Sequence, residues 1–348
     1  MVISMVTQLI LAVLLHLGMQ APAQLRFLAL PMRLSGVSQS AATVDALQQI
    51  KPLLMQKANN FSLQKKTSLI ESADAAGNFD QATSYLAINF NSGEVLAEKN
   101  MAAQAPIASL TKIMTAVVAL DLASPNEMFT VTANDGRVEP TTIGVVPGQK
   151  MSLKELLDAS LMTSANDAAQ VIADGIDAKF NQPGLFVQAM NVKAESLGLK
   201  NTHFTNPQGF DDPNHYSSAE DLAILTHYAL SNYLVISQTV SQDYTFLPAD
   251  NNHKQFDLYN WNGLLDVYPG AYGVKIGNTD AAGYTTVVAA KRDGQNILAV
   301  LLGAPGVKER DEWAGELLDD AFSKLGVQPA AVTADQLQAK YNTWKYWN

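Results

Sequence analysis

From Gly273 to Leu302 the chain repeats one pattern three times within thirty residues, and that repetition limits the folds open to it. Gly273 to Thr279, Tyr284 to Lys291 and Asn296 to Leu302 each read as a strand rich in β-branched and aliphatic residues. Their connectors, Asp280-Ala281-Ala282-Gly283 and Arg292-Asp293-Gly294-Gln295, carry hairpin chemistry, so the expected unit is an antiparallel meander. A second hairpin is expected far upstream: Tyr85 to Phe90, a turn at Asn91-Ser92-Gly93, and a return over Glu94 to Glu98.

Between these strand regions the period changes. Ser109 to Leu122 places Ile113, Val117 and Leu120 at helical spacing in a nearly uncharged run, which predicts a helix buried on most sides. Leu153 to Leu157, Ala168 to Ile176 and Phe186 to Leu197 follow as helices, the last stopped at Gly198. Ser218-Ala219-Glu220-Asp221 reads as the capped start of another, and Glu309 to Phe322 as a terminal one. The expected fold is α+β, an α/β sandwich: a five-stranded antiparallel sheet flanked by helices, with an all-helical lobe and a cleft between the two.

Composition narrows the function classes. With 348 residues and 47% hydrophobic content, the chain has enough material for a large core. A net charge of −10 argues against a nucleic-acid partner, because nothing offsets phosphate repulsion. The absence of cysteine removes disulfides, thiol nucleophiles and cysteine-ligated metal sites. His16, His203, His215, His227 and His253 show no metal-ligand spacing, so structural or surface roles are expected for them and no metal. Residues 1–24 contain no Asp, Glu, Lys or Arg, carry an apolar run from Leu9 to Leu15, and end near Ala21-Pro22-Ala23. That pattern predicts a signal peptide or membrane anchor, an extracytoplasmic location and a membrane contact through this segment. Residues 25–76 read as a linker or helical stalk, 77–325 as the catalytic domain and 326–348 as a short C-terminal tail. The tail crowds Tyr341, Trp344, Tyr346 and Trp347, and docking on the domain's own surface is expected over an interfacial membrane contact.

Ser109-Leu110-Thr111-Lys112 sets a hydroxyl and an amine three residues apart, on one face at the start of the buried helix. A lysine there can take the serine proton if burial and a second cation keep it neutral. The motif alone is weak, since a chain of this size carries about one Ser-x-x-Lys by chance. A second copy, Ser62-Leu63-Gln64-Lys65, has no apolar helix behind it and is expected to be inert. Two further motifs change the weighting. Thr163-Ser164-Ala165-Asn166-Asp167 offers a hydroxyl and a carboxamide on a short connector in the helical lobe. Val274-Lys275-Ile276-Gly277-Asn278-Thr279 offers a lysine on the first strand of the meander, with a glycine that admits close approach of substrate.

Ser-x-x-Lys, Ser-x-Asn and Lys-x-Gly in that order resemble the active-serine penicillin-recognising enzymes, whose fold is β-lactamase/transpeptidase-like. The resemblance narrows to the D-alanyl-D-alanine carboxypeptidases among the low-molecular-mass penicillin-binding proteins. It rests also on Pro106 to Lys112, Leu161 to Ala169, Gly198 to Phe204, Asn260 to Leu265 and Gly283-Tyr284. It implies a serine carboxypeptidase that removes the terminal D-alanine from peptidoglycan stem pentapeptides, needs no cofactor and is acylated by β-lactams. In that scheme Ser109 is the nucleophile, Lys112 the general base, Ser164 the proton relay, Lys275 its polarising neighbour and Asn166 a ligand of substrate and Lys112. The backbone N–H groups of Ser109 and Asn278 form the oxyanion hole, and Ile276, Gly277 and Asn278 line the substrate. The family's expected threonine is replaced by Ile276, and Trp261 stands where some relatives carry a basic residue. Carboxylate recognition therefore falls to another group, with Lys308 and Arg310 the candidates. A DD-endopeptidase and a weakly active wall-binding protein are the alternative readings. Glu195 is expected on a solvated helix face, and Asp211-Asp212 as surface charge. The additional β-rich C-terminal domain of the family is not expected in the few residues after Phe322.

Overall fold

A computed structural model describes residues 41–65 and 77–344 of the protein. The expected export signal at residues 1–24 lies outside the described residues, as do Tyr346 and Trp347. Among the described residues no helix is long and apolar enough to cross a membrane.

The meander and the upstream hairpin join in one sheet. β1 (Ser84–Asn89), β2 (Val95–Lys99), β7 (Ala271–Thr279), β8 (Gly283–Arg292) and β9 (Gln295–Ala304) run in the order β2-β1-β9-β8-β7, all antiparallel. Tyr85 pairs with Leu301 and Ala87 with Ala299, so the chain's first strand closes against its last. Asp293 and Gly294 both have positive φ, 48° and 79°, the conformation a tight hairpin turn requires and that Asp-Gly adopts readily.

Both faces of the sheet are covered, which explains why its central strands alternate apolar with apolar. Leu86, Ile88, Val287, Leu298 and Val300 enter one core cluster; Ala87, Val288, Ile297, Ala299 and Leu301 enter the other. The second cluster is closed by Trp313, Leu317, Leu318 and Phe322 of the helix Val307–Lys324. The first is closed by the helix Lys112–Leu122, whose Ile113, Met114, Val117 and Val118 are all fully buried. A helix apolar on every side belongs inside, and this one has a single basic residue, Lys112, at its start.

The helical lobe contains Leu153–Leu161, Asn166–Lys179, Leu185–Leu197, Ala219–Asn232 and Leu234–Val240. Ser152 and Glu155 form a reciprocal capping box at the first, Gly198 closes the third at φ 75°, and Ser218 caps the fourth through the Asp221 N–H. Two small hairpins, β3 (Met128–Thr130) with β4 (Lys150–Ser152) and β5 (Tyr244–Leu247) with β6 (Phe256–Tyr259), were not anticipated. Their strands are too short for a period to register.

The start of the compact unit differs from the sequence reading. Residues expected as linker or stalk contain the helix Ala41–Leu54, whose Ala46, Ile50 and Leu54 belong to the first core cluster. Buried Lys193 donates to the Leu54 carbonyl at 2.6 Å and pairs with buried Asp121 at 2.8 Å, so the helix end is capped by an ion pair of the lobe. The compact unit accordingly begins at Asp45 rather than near residue 77. At the other end the helix Ala334–Tyr341 docks on the domain's own surface with Leu337 fully buried, as the sequence suggested.

Candidate active site

Ser109 lies in the 3-10 turn Ala108–Thr111 that leads into the buried helix, and Lys112 is that helix's first residue. Ala108 holds φ at 49°, a left-handed conformation rare for a residue with a side chain and concentrated at functional sites. Lys112 is completely buried, and its Nζ meets three oxygens: Ser109 Oγ at 2.9 Å, Asn166 Oδ1 at 2.7 Å and the Gln208 carbonyl at 2.8 Å. Burial lowers its pKa to about 7, against a smaller upward pull from Asp167. A neutral amine has two N–H donors and one lone pair. Asn166 Oδ1 and the Gln208 carbonyl accept only, so they take the two donors and leave the lone pair facing the Ser109 hydroxyl. An amine in that state can take the serine proton.

The supports of that base are fixed in turn. Asn166 Nδ2 donates to the Pro140 carbonyl and its backbone N–H to the Thr141 carbonyl, which orients the amide with Oδ1 toward Lys112. Asp167 is buried and accepts from the backbone N–H groups of Ile143, Gly144 and Val145 at 2.9–3.2 Å, tying the 140–146 loop to the site. Gly209, at φ 96°, is the turn that presents the Gln208 carbonyl; a Cβ there would stand 1.9 Å from the Ala108 carbonyl oxygen. Behind the motif, buried His215 meets Thr111 Oγ1 at 2.8 Å through Nε2 while Nδ1 accepts from the Thr205 N–H at 3.1 Å. Burial holds this imidazole down to about pKa 4, so it stays neutral.

Ser164 opens the cleft's other side. It is nearly buried, has φ 61°, and lines the same cavity of about 1080 Å³ as Ser109, Asn166, Ile276 and Asn278. Lys275 is buried on β7, and burial, with the charges of Lys112 and Arg310, pushes its ammonium well below its ordinary range. Its Nζ donates to the Ile276 carbonyl at 2.9 Å; no hydrogen bond joins it to Ser164 here. Gly277 fits for a steric reason: a Cβ would come within 2.7 Å of the Ser109 backbone nitrogen. Because β7 is the sheet's edge, its outer backbone groups face the cleft and can accept an extended peptide as one more strand.

The structure separates the two carboxylate candidates. Lys308 is exposed and pairs with Glu312 at 3.6 Å. Arg310 is fully buried, with Nε and Nη2 on Asp311, Nη2 also toward the Trp261 carbonyl, and Nη1 without a hydrogen-bond partner among the described residues. In the second Ser-x-x-Lys, Lys65 is exposed and pairs with Glu98 at 3.2 Å, and Gln64 bridges to the backbone at Glu94. Glu195 is exposed on its helix. Asp211 does more than carry surface charge, since it accepts from the Thr279 hydroxyl at 2.6 Å and the Ala281 N–H at 3.1 Å. Among the described residues no cluster of metal-ligating side chains occurs. Sequence reasoning missed the work of Gln208, whose contribution is a main-chain carbonyl, and of Asp167, whose partners are main-chain N–H groups. The Asn206-Pro207-Gln208-Gly209 turn was the available signal for the former.

A buried amine paired with a serine hydroxyl, on a two-face-covered antiparallel sheet beside a helical lobe, is an arrangement that can carry out serine acyl transfer, and the fold is transpeptidase-like. A model for the D-alanyl-D-alanine carboxypeptidases, peptidase family S11, matches residues 71–306, and the chain belongs to that family. It is 34% identical over 255 residues to D-alanyl-D-alanine carboxypeptidase DacF of Bacillus subtilis, covering 72% of this chain and 64% of that one. It is 34% identical over 223 residues to DacB2 of Mycobacterium tuberculosis, covering 64% and 74%. Among solved structures, the Streptomyces K15 DD-transpeptidase aligns with a TM-score of 0.64 at 27% identity, over 70% of this chain and 97% of that chain.

Proposed function

We propose that this protein is an extracytoplasmic serine D-alanyl-D-alanine carboxypeptidase that trims the terminal D-alanine from peptidoglycan stem peptides. The observation that carries the proposal is the three-oxygen environment of Lys112 Nζ. Lys112 takes the Ser109 proton as Oγ attacks the carbonyl carbon between the two D-alanines. The oxyanion forms against the backbone N–H groups of Ser109 and Asn278, the fixed dipoles that usually supply the largest share of acyl-transfer catalysis. As the C–N bond breaks, the proton passes through Ser164 to the departing amine, and Lys275 polarises that hydroxyl once its Nζ turns from the Ile276 carbonyl. Water then hydrolyses the acyl-enzyme, and a β-lactam, whose leaving group stays tethered, stops the cycle there.

Ile276 cannot donate a hydrogen bond to the substrate's terminal carboxylate, and Arg310 supplies the positive charge instead. Its guanidinium is fixed behind the cleft wall, one nitrogen is unpartnered, and Trp261 and Val307, which line the cleft, sit beside it. Release of D-alanine from a peptide ending in D-Ala-D-Ala tests the activity. Turnover by the wild-type chain and its loss in Ser109→Ala are expected; equal turnover by both would overturn the assignment.

A further inference from the structure

Arg310 and Asp311 are consecutive residues of one helix, an arrangement in which side chains normally diverge. Here they form a two-pronged pair, Nε to Oδ1 at 2.7 Å and Nη2 to Oδ2 at 2.8 Å, with both side chains fully buried. Something outside the helix must hold the carboxylate in that pose. Tyr341, from the C-terminal helix thirty positions on, donates its hydroxyl to Asp311 Oδ2 at 2.9 Å. Room for the contact is made by Gly263, where a Cβ would fall 2.2 Å from Asp311 Oδ2 and 2.8 Å from the Tyr341 ring. Three separate stretches of chain thus converge on one carboxylate.

The geometry points to Tyr341 as a positioning residue for recognition of the substrate's terminal carboxylate, acting through Asp311 on Arg310. This rests on the reading of Arg310 given above. A guanidinium has two bidentate edges, and Asp311 occupies the one formed by Nε and Nη2. The orientation of the remaining nitrogen, Nη1, is therefore set by where Asp311 is held. Val307 precedes Arg310 by three residues on the same helix face and lines the cleft, as does Trp261, whose carbonyl takes Nη2. Tyr341 lies beyond the residues that the family model matches, 71–306.

The test uses the full chain and two substrates, a peptide ending in D-Ala-D-Ala with a free carboxylate and the same peptide with a C-terminal amide. Tyr341→Phe removes only the hydroxyl. It is expected to raise KM on the carboxylate peptide about three- to tenfold, with kcat little changed and the amide peptide unaffected. Arg310→Lys and Arg310→Gln, each checked for folding by circular dichroism and thermal unfolding, are run beside it. Loss of the carboxylate preference in the Arg310 variants, with wild-type KM in Tyr341→Phe, would overturn the role of Tyr341 and leave that of Arg310 standing. An unchanged preference in folded Arg310 variants would overturn the reading of Arg310 itself. Equal losses on both peptides in Tyr341→Phe would mark the hydroxyl as merely structural and also refute the proposal.

Discussion

Replacing Asn166 by Asp tests whether the base works because Lys112 is neutral. The substitution is nearly isosteric and places a carboxylate oxygen where Oδ1 now stands, 2.7 Å from Lys112 Nζ. In the wild type, burial brings the Lys112 pKa to about 7, so close to half of the amine is unprotonated at neutral pH. An anion in direct contact stabilises the ammonium and raises a neighbouring pKa by about one to three units. A two-unit rise would leave roughly 1% of the amine neutral at pH 7, a loss of about fiftyfold in acylation rate. The same variant also loses the bond from Nδ2 to the Pro140 carbonyl, but that defect does not titrate. The assay is the rate constant for acylation by a fluorescent penicillin, measured from pH 5.5 to 10. The wild-type rate should rise through an inflection near pH 7, and the Asn166→Asp inflection should move up by one unit or more, so that the deficit narrows at high pH. A uniform deficit with an unmoved inflection would refute the claim that Lys112 must be neutral to act.

Three further outcomes follow from contacts elsewhere. Gly277→Ala drives a Cβ to 2.7 Å from the Ser109 nitrogen, and the overpacking should slow acylation by about tenfold or more while the fold survives; a wild-type rate would show that β7 does not lie against the nucleophile. Leu54→Ala removes a fully buried side chain in the N-terminal helix and should cost about 2–5 kcal/mol in denaturant unfolding, whereas a change near zero would mean that the helix is not part of the core. His215 is held down to about pKa 4 by burial, below its ordinary 6.5, with Asp212, His203, Asp211 and Lys112 as its charged neighbours. The unfolded chain then binds a proton that the folded one refuses, so stability is full above about pH 6.5 and falls as pH drops toward 4. His215→Gln should flatten that part of the stability–pH curve, and an unchanged slope would remove His215 as its source.

The sheet and the three motifs of the candidate site were legible because each announces itself locally. Asp293-Gly294 fixes a turn, and the apolar helix after Ser109 can only be interior. Other features were set by distant partners. The helix Ala41–Leu54 has a mixed composition that resembles a solvated stalk, and only its packing into the first core cluster, with Lys193 holding the Leu54 carbonyl, makes Ile50 and Leu54 core residues. Lys308 and Arg310 look interchangeable in sequence, two positions apart, yet helix geometry turns one to solvent and buries the other. The Gln208 carbonyl could not be read as functional, since every residue has one; its role comes from the left-handed turn at Gly209.

The most direct measurement of the central claim is intact-mass and peptide mapping of the chain after incubation with benzylpenicillin. One adduct per molecule, confined to the peptide carrying Ser109 and absent from Ser109→Ala and Lys112→Ala at neutral pH, is the result expected. An adduct on the Ser62 peptide, or unimpaired modification of the Lys112→Ala chain, would contradict the account.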